Sequence, residues 1–204
     1  MEKILFIKEF MKNWNEVGSI TPSSWFLIQK MLRTIDFDTA RIIVEIGAGS
    51  GCITRELLKN MKTDSQLIIF ETNTEFYREL KKIHDSRITV HNEPAVNIRK
   101  QLGGKQVDHI VSGIPLATLS PEDKENLLVI CYKTLMPQGQ YIQFQYSLES
   151  RGNLKNIFDE VKIGFTPLNI PPAFVYTCIK NKRAGESPVT PFDESRLRET
   201  IAAR

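Results

Sequence analysis

The stretch Val44-Glu45-Ile46-Gly47-Ala48-Gly49-Ser50-Gly51 restricts this chain more than any other. An apolar run, Ile42–Ile46, ends directly in glycines at 47, 49 and 51, and a helical pattern through Leu57 and Leu58 follows. Glycines let the backbone turn sharply and approach a ligand where a Cβ would collide. The helix start behind them offers unpaired N–H groups and a partial positive charge. Apolar runs then alternate with amphipathic stretches, as βαβ units require. Leu67–Phe70, Ile88–Val90 and Val107–Val111 read as the second to fourth strands, and Phe76, Leu80 and Ile83 mark the apolar side of an intervening helix. Residues from Pro121 to Leu135 form a helix with Ser120 as its N-cap. After a Pro137-Gln138-Gly139 turn, Tyr141–Tyr146 is the fifth strand. Phe174–Ile179 and Val161–Pro167 suit an antiparallel hairpin at one sheet edge. The expected fold class is α/β: a doubly wound, Rossmann-like fold with a mixed seven-stranded sheet and an N-terminal helical extension.

The glycine spacing also separates ligands. A dinucleotide site wants a third glycine three positions after the second, and that position is Cys52. Glu45 ahead of the loop departs from the dinucleotide pattern as well. The arrangement favours S-adenosylmethionine, whose bound part is a nucleoside joined to an amino acid rather than a pyrophosphate. Glu71, at the end of the second strand, is placed to accept both ribose hydroxyls, the job of the Rossmann acid.

Length and composition bound the rest. A chain of 204 residues, 41% hydrophobic and 25% charged, fits one compact domain with short extensions. The division expected is an N-terminal helical extension or lid over residues 1–35, a cofactor-binding core over 36–180 and a polar tail over 181–204. The net charge of +3 does not call for nucleic acid. Cys52, Cys131 and Cys178 lack metal or disulfide spacing, so buried thiols in a reducing, cytoplasmic setting are expected. His84, His91 and His109 show no metal spacing either, and no metal is expected. No apolar run reaches the ~18 residues that span a bilayer, and the first residues lack a signal-peptide layout.

Five segments occur in a telling order: Gly18-Ser19-Ile20-Thr21-Pro22-Ser23-Ser24, the EIGAGSG loop, Phe70-Glu71-Thr72-Asn73, Val111-Ser112-Gly113-Ile114-Pro115-Leu116 and Gln143-Phe144-Gln145-Tyr146. Over residues 5–180, including Ile170-Pro171-Pro172-Ala173, the chain resembles the bacterial phospholipid N-methyltransferases and, more distantly, the rRNA adenine dimethylases. The resemblance implies a class I methyltransferase fold and a phospholipid or other amine substrate, phosphatidylethanolamine first. It implies that Glu45, Gly47, Ala48, Gly49 and Gly51 hold the methionine part, and that Glu71 with Thr72 holds the ribose. Thr21, Ser23 and Ser24 would close over the cofactor, and Ser112, Gly113, Ile114 and Pro115 would line the methyl-transfer site. The chain departs from the family after the third strand. Where an acidic side chain ordinarily meets the adenine amino group, it reads Asn92-Glu93-Pro94-Ala95, so Glu93 or the Ala95 backbone N–H takes that contact.

Adenine methyltransferases acting on nucleic acid use an Asn/Asp-Pro-Pro-aromatic segment after the fourth strand. Here Ser112–Leu116 supplies neither the strong acceptor nor the stacking ring, which argues against a flipped base as acceptor. Tyr146 reads either as a substrate-facing polar group or as a rim tyrosine. The N-terminal helix gathers Ile4, Phe6, Ile7, Phe10, Met11, Trp14 and Val17 on one face, while the side-chain charge of residues 1–17 sums to zero. It reads as a lid over the core or as a peripheral contact at the inner face of the membrane, bound by apolar area rather than by charge. An RNA or small-molecule N-methyltransferase, and a cofactor-binding protein without catalysis, stand as alternatives.

Overall fold

The computed structural model describes residues 25–181. Its frame is a seven-stranded sheet in the order β3-β2-β1-β4-β5-β7-β6. The strands are β1 (Ile42–Ile46), β2 (Gln66–Phe70), β3 (Ile88–His91), β4 (Val107–Ser112), β5 (Leu135–Gln145), β6 (Glu160–Thr166) and β7 (Ala173–Ile179). Strands β1 to β5 pair in parallel and β7 runs antiparallel to both its neighbours, giving the mixed sheet with an edge hairpin that the late apolar runs predict. The helices are α1 (Trp25–Leu32), α2 (Cys52–Asn60), α3 (Thr74–Leu80), α4 (Ile98–Gln101), α5 (Pro121–Thr134) and α6 (Arg151–Ile157).

Parallel strands are covered on both faces, so their residues read as continuous apolar runs. One face packs Val44, Ile110, Tyr141 and Tyr176 beneath α4, α5 and α6. The other packs Ile43, Val111, Ile142 and Val175 beneath α1, α2 and α3. Helix α1 lies within this second core: Leu27 and Met31 are fully buried there. At the start of α5 the Ser120 hydroxyl accepts the Asp123 N–H at 3.0 Å, and Pro121 fills the first turn, where a missing donor costs nothing.

Two elements differ from the sequence reading. Pro137-Gln138-Gly139 is no turn ahead of β5. Leu135 already pairs with Val107, the register breaks before Gln140, and Gln138 takes φ 67° within one continuous strand. The detour is held by Gln138 N–H donating to the Lys180 carbonyl at 2.6 Å and Lys180 N–H to the Gly139 carbonyl at 3.1 Å. A Cβ on Gly139 would meet the Met136 carbonyl oxygen at 2.8 Å, so only glycine fits this bulge. Secondly, Cys131 and Cys178 are buried thiols as expected, whereas Cys52 is half-exposed at the start of α2.

Candidate functional site

Strand order reverses at β1, whose neighbours β2 and β4 carry the chain away in opposite directions. In open α/β sheets the crevice beyond the carboxyl ends at such a point is where ligands bind. The three strand ends are stitched by backbone: Gly47 N–H donates to the Phe70 carbonyl at 2.9 Å, and Gly113 N–H to the Ile46 carbonyl at 2.8 Å. Gly47, Gly49 and Gly51 take φ of +68°, +53° and +78°, in the left-handed region that side-chain-bearing residues resist. A Cβ on Gly113 would sit 2.4 Å from the Gly47 carbonyl oxygen, and one on Gly47 would sit 2.8 Å from Ile114 Cγ1. The two loops therefore touch main chain to main chain. A Cβ on Gly49, in contrast, meets no atom within 4 Å. That side of the loop leaves room for a ligand against bare backbone.

Two carboxylates flank this cradle. Glu45 is 1% exposed, its Oε2 accepts the Thr54 hydroxyl at 2.7 Å, and its Oε1 has no hydrogen-bond partner among the described residues. Burial pushes its carboxyl up to about 7; the nearby Glu71 adds to the rise and the Thr54 hydroxyl opposes it. An unpaired oxygen on a buried acid is costly in the free protein and fits a cationic group presented there. Glu71 lies on the other side, with Oε2 accepting Gly49 N–H at 2.9 Å and Oε1 accepting Asn73 N–H at 2.8 Å. It ties the glycine loop to the turn after β2, and each oxygen keeps a further lone pair for a hydroxyl donor. The exposed Thr72 contributes its carbonyl, which with that of Glu71 accepts the Asn92 side-chain amide at 3.1 and 2.8 Å.

After β3, Glu93 turns into its own segment. Its two oxygens accept the Asn97 amide at 2.9 Å and the Gln101 amide at 2.6 Å, and these donors hold its carboxyl below the usual range. Ala95 is buried at the start of the single 3-10 turn that follows, close to this edge.

The loop after β4 rests on a buried polar ladder. Ser112 is fully buried, and its hydroxyl accepts Ile114 N–H at 3.3 Å, so it braces the turn from inside and lines the site only through backbone. Tyr141 O–H donates to Gln143 Oε1 at 2.7 Å, and Gln143 Nε2 donates to the Ile114 carbonyl at 2.9 Å. Pro115 leads from Ile114 into the 3-10 turn Leu116–Thr118. Tyr146, one residue past β5, is half-buried with its ring 5.7 Å from that of Phe144. Burial raises its phenol above the ordinary value, against a side-chain hydrogen bond to Asn169. It stays a neutral phenol near pH 7, able to orient a group but not to act as a phenolate base.

Thr21, Ser23 and Ser24, the N-terminal helix and the polar tail lie outside the described residues. The structure brings Glu45, the three glycines, Glu71 and the Ser112–Pro115 loop to one edge, with Tyr146 at the end of the next strand. Residue-by-residue reading gave no role to Thr54, Asn73, Asn92 or Gln143, since their partners are distant in sequence or main-chain atoms. Gln145 was missed as well: it is 5% exposed, and neither side-chain amide atom has a partner among the described residues. Alternation along β5, which sets Gln143 and Gln145 on one face, is the signal that pointed to it. Among the described residues no group of three or more His, Cys, Asp or Glu is placed to hold a metal, and no helix is long and apolar enough to cross a membrane.

Comparison with known proteins gives three kinds of likeness. The family model for ribosomal RNA adenine dimethylase matches residues 23–114, less than half of the chain, and ends inside the loop after β4. An ornithine lipid N-methyltransferase of Singulisphaera acidiphila is 31% identical over 180 residues, covering 85% of this chain and 94% of the relative. Among solved structures, the 1,6-didemethyltoxoflavin-N1-methyltransferase of Burkholderia thailandensis superposes with a TM-score of 0.65 at 14% identity over 89% of both chains. Phosphoethanolamine N-methyltransferase 2 of Haemonchus contortus gives 0.62 at 13% identity, over 80% of this chain and 54% of that one. The chain thus spans about half the length of the latter; at these identities the two structures establish the fold alone.

Proposed function

Since the chain belongs to the class I S-adenosylmethionine-dependent methyltransferases, related to lipid- and amine-methylating enzymes and to the rRNA adenine dimethylases, we propose that it methylates the amine nitrogen of a membrane lipid headgroup. The single observation that carries this reading is the match to a lipid N-methyltransferase, 31% identical over 85% of this chain and 94% of the relative. The dimethylase likeness stops at Ile114, before β5 and the edge hairpin. Phosphatidylethanolamine is the acceptor first proposed. An ornithine-type lipid is the second, favoured by the relative's own activity.

The residues present fit S-adenosylmethionine. Glu45 Oε1 is the orphaned acceptor for the ammonium of the methionine part, and the bare backbone at Gly49 admits its carboxylate end. Glu71 offers its remaining lone pairs to the ribose hydroxyls, with Thr72 beside it. Near the adenine, the Ala95 backbone N–H is the better placed contact, because Glu93 already takes two amide donors.

When bound, the cofactor supplies a methyl group on a positively charged sulfur, already activated for in-line displacement. The protein's task is alignment, a contribution that in favourable cases reaches roughly 7–11 kcal/mol. Gln143 and Ser112 hold the Ile114–Pro115 backbone rigidly against the glycine loop, so the acceptor nitrogen approaches along a fixed line. Tyr146 orients the incoming headgroup by hydrogen bonding. The amine arrives deprotonated or loses its proton to water, so the rate rises with pH through the amine's own titration.

The test is to incubate the protein with methyl-labelled cofactor and vesicles carrying one amine lipid at a time, then to separate the lipids. Label in phosphatidylethanolamine or in the ornithine lipid is expected. Label only in added RNA, or cofactor binding without turnover on any amine, contradicts the proposal.

A further inference from the structure

We infer that the carboxyl edge of β5, β7 and β6, with the first turn of α1, is a surface that seats the protein on a lipid bilayer; the inference rests on the lipid-acceptor reading above. The β6–β7 connection is folded inside out. Asn169 is 3% exposed, with its side-chain amide donating to the Pro171 carbonyl at 2.7 Å, while Leu168 and Ile170 on either side are 63% and 85% exposed. Water would favour the reverse, and large apolar side chains held outward in this way mark an interaction site. Proline at 167, 171 and 172 removes backbone donors and restricts the loop, so it presents these side chains with little entropy to lose.

The surroundings share the same character. Phe165 at the end of β6, Leu148 just after β5, and Trp25 and Phe26 at the start of α1 are also exposed. Helix α1 leads to β1 and so ends at the amino edge, with Lys30 reaching the level of Gly164. At about 1.5 Å per residue, its first turn therefore lies roughly 7 Å nearer the carboxyl edge, level with the end of β6. Most large exposed apolar side chains thus crowd the end where the methyl-transfer site opens. No Asp, Glu, Lys or Arg occurs between Lys162 and Lys180. Behind this apolar tip, Lys30, Arg33 and Lys162 line one cleft between α1 and the hairpin; Lys162 also pairs with Glu160 at 3.1 Å, which leaves the cleft with an excess of positive charge.

Apolar side chains foremost and cations two to four residues of β6 behind, roughly 7–13 Å, match a bilayer in depth, acyl region first and phosphates next. That charge complementarity selects a lipid surface over a second copy of this chain, which would bring its own cations against these. The same loop reaches the site: Asn169, buried between the two exposed residues, is the hydrogen-bond partner of Tyr146. A headgroup at the phosphate level therefore enters beside Tyr146 without leaving the membrane.

The test compares the full-length protein with the double variant Leu168→Ser/Ile170→Ser on phosphatidylcholine vesicles containing phosphatidylglycerol. Vesicle partitioning is expected to fall at least about tenfold, with cofactor affinity by calorimetry unchanged. Lys30→Gln/Lys162→Gln should lose binding in proportion to the phosphatidylglycerol content. In a Trp14→Phe background, brominated acyl chains should quench Trp25. A double variant that binds vesicles as the wild type does overturns the inference. So does light scattering that shows the substitutions splitting a dimer, since the face would then hold a second copy. Loss of vesicle binding in the variant, with no lipid amine methylated by the wild type, leaves this surface standing and removes the lipid-acceptor reading. Lipid methylation at an equal rate by both proteins removes the surface and leaves that reading.

Discussion

Glu45 holds a conflict that a cationic ligand would resolve: a buried acid with one oxygen bonded to Thr54 and the other without a hydrogen-bond partner among the described residues. Its carboxyl titrates at about 7 in the folded protein against an ordinary 4.5. For an acid raised by folding, the stabilising contribution is complete below 4.5 and is lost as pH climbs through about 7. Glu45→Gln removes this loss. Urea melts of the cofactor-free variant should therefore show a gain over wild type at pH 8, about 3 kcal/mol at most, and a much smaller difference at pH 5. Cofactor affinity should move the other way, weakening in the variant at pH 8, while wild-type affinity weakens as pH falls below about 7. A Gln variant that is no more stable at pH 8 would remove the buried charge from the account. Gly49 makes the complementary case. Gly49→Val adds a side chain into open space at φ +53°, so it strains one turn and blocks the cradle. Calorimetry should show at least a tenfold loss of cofactor affinity, about 1.4 kcal/mol, in a protein that still unfolds cooperatively.

Between elements, the close approach of two backbone loops decides the geometry. Gly113→Ala drives a Cβ to 2.4 Å from the Gly47 carbonyl oxygen, and no flexible side chain is there to move aside. A destabilisation of about 1–3 kcal/mol is expected, with cofactor binding weakened in step, read by thermal melts and calorimetry on the same samples. Gln143→Leu should act differently. It cuts the tie from Tyr141 to the Ile114 carbonyl, so kcat falls while cofactor affinity holds; an unchanged kcat would show that the ladder does not position the loop. Neither contact was legible in the sequence. Periodicity located β1 to β4, the Ser120 cap and the edge hairpin, because those follow from local chemistry and from alternating burial. It misread Pro137-Gln138-Gly139 as a turn, because the pairing of Leu135 with Val107 that extends β5 is tertiary. The site roles of Ser112 and Glu93 came from the resemblance instead, and only the folded chain shows that the Ser112 hydroxyl accepts Ile114 N–H and that Glu93 accepts the Asn97 and Gln101 amides.

At the scale of the molecule, the proposed cofactor cradle and the proposed bilayer surface share one edge of the seven-stranded sheet. The glycine loop and Glu71 occupy its β1–β2 part, and the uncharged, outward-facing β6–β7 connection with Asn169 occupies its far part, with Tyr146 between them. The resemblance in five short segments was legible because glycine spacing and an acid at a strand end are sequence signals. The apolar rim was not, since Leu168 and Ile170 look like core residues until their exposure is known. The account stands or falls on where the methyl group goes. The most direct measurement offers methyl-labelled S-adenosylmethionine to the protein with phosphatidylethanolamine vesicles, ornithine-lipid vesicles and ribosomal RNA in one tube, and counts label in each fraction. Label in a lipid amine, abolished by Gly49→Val, is the predicted result. Label in the RNA, or lipid labelling that survives Gly49→Val, would contradict it.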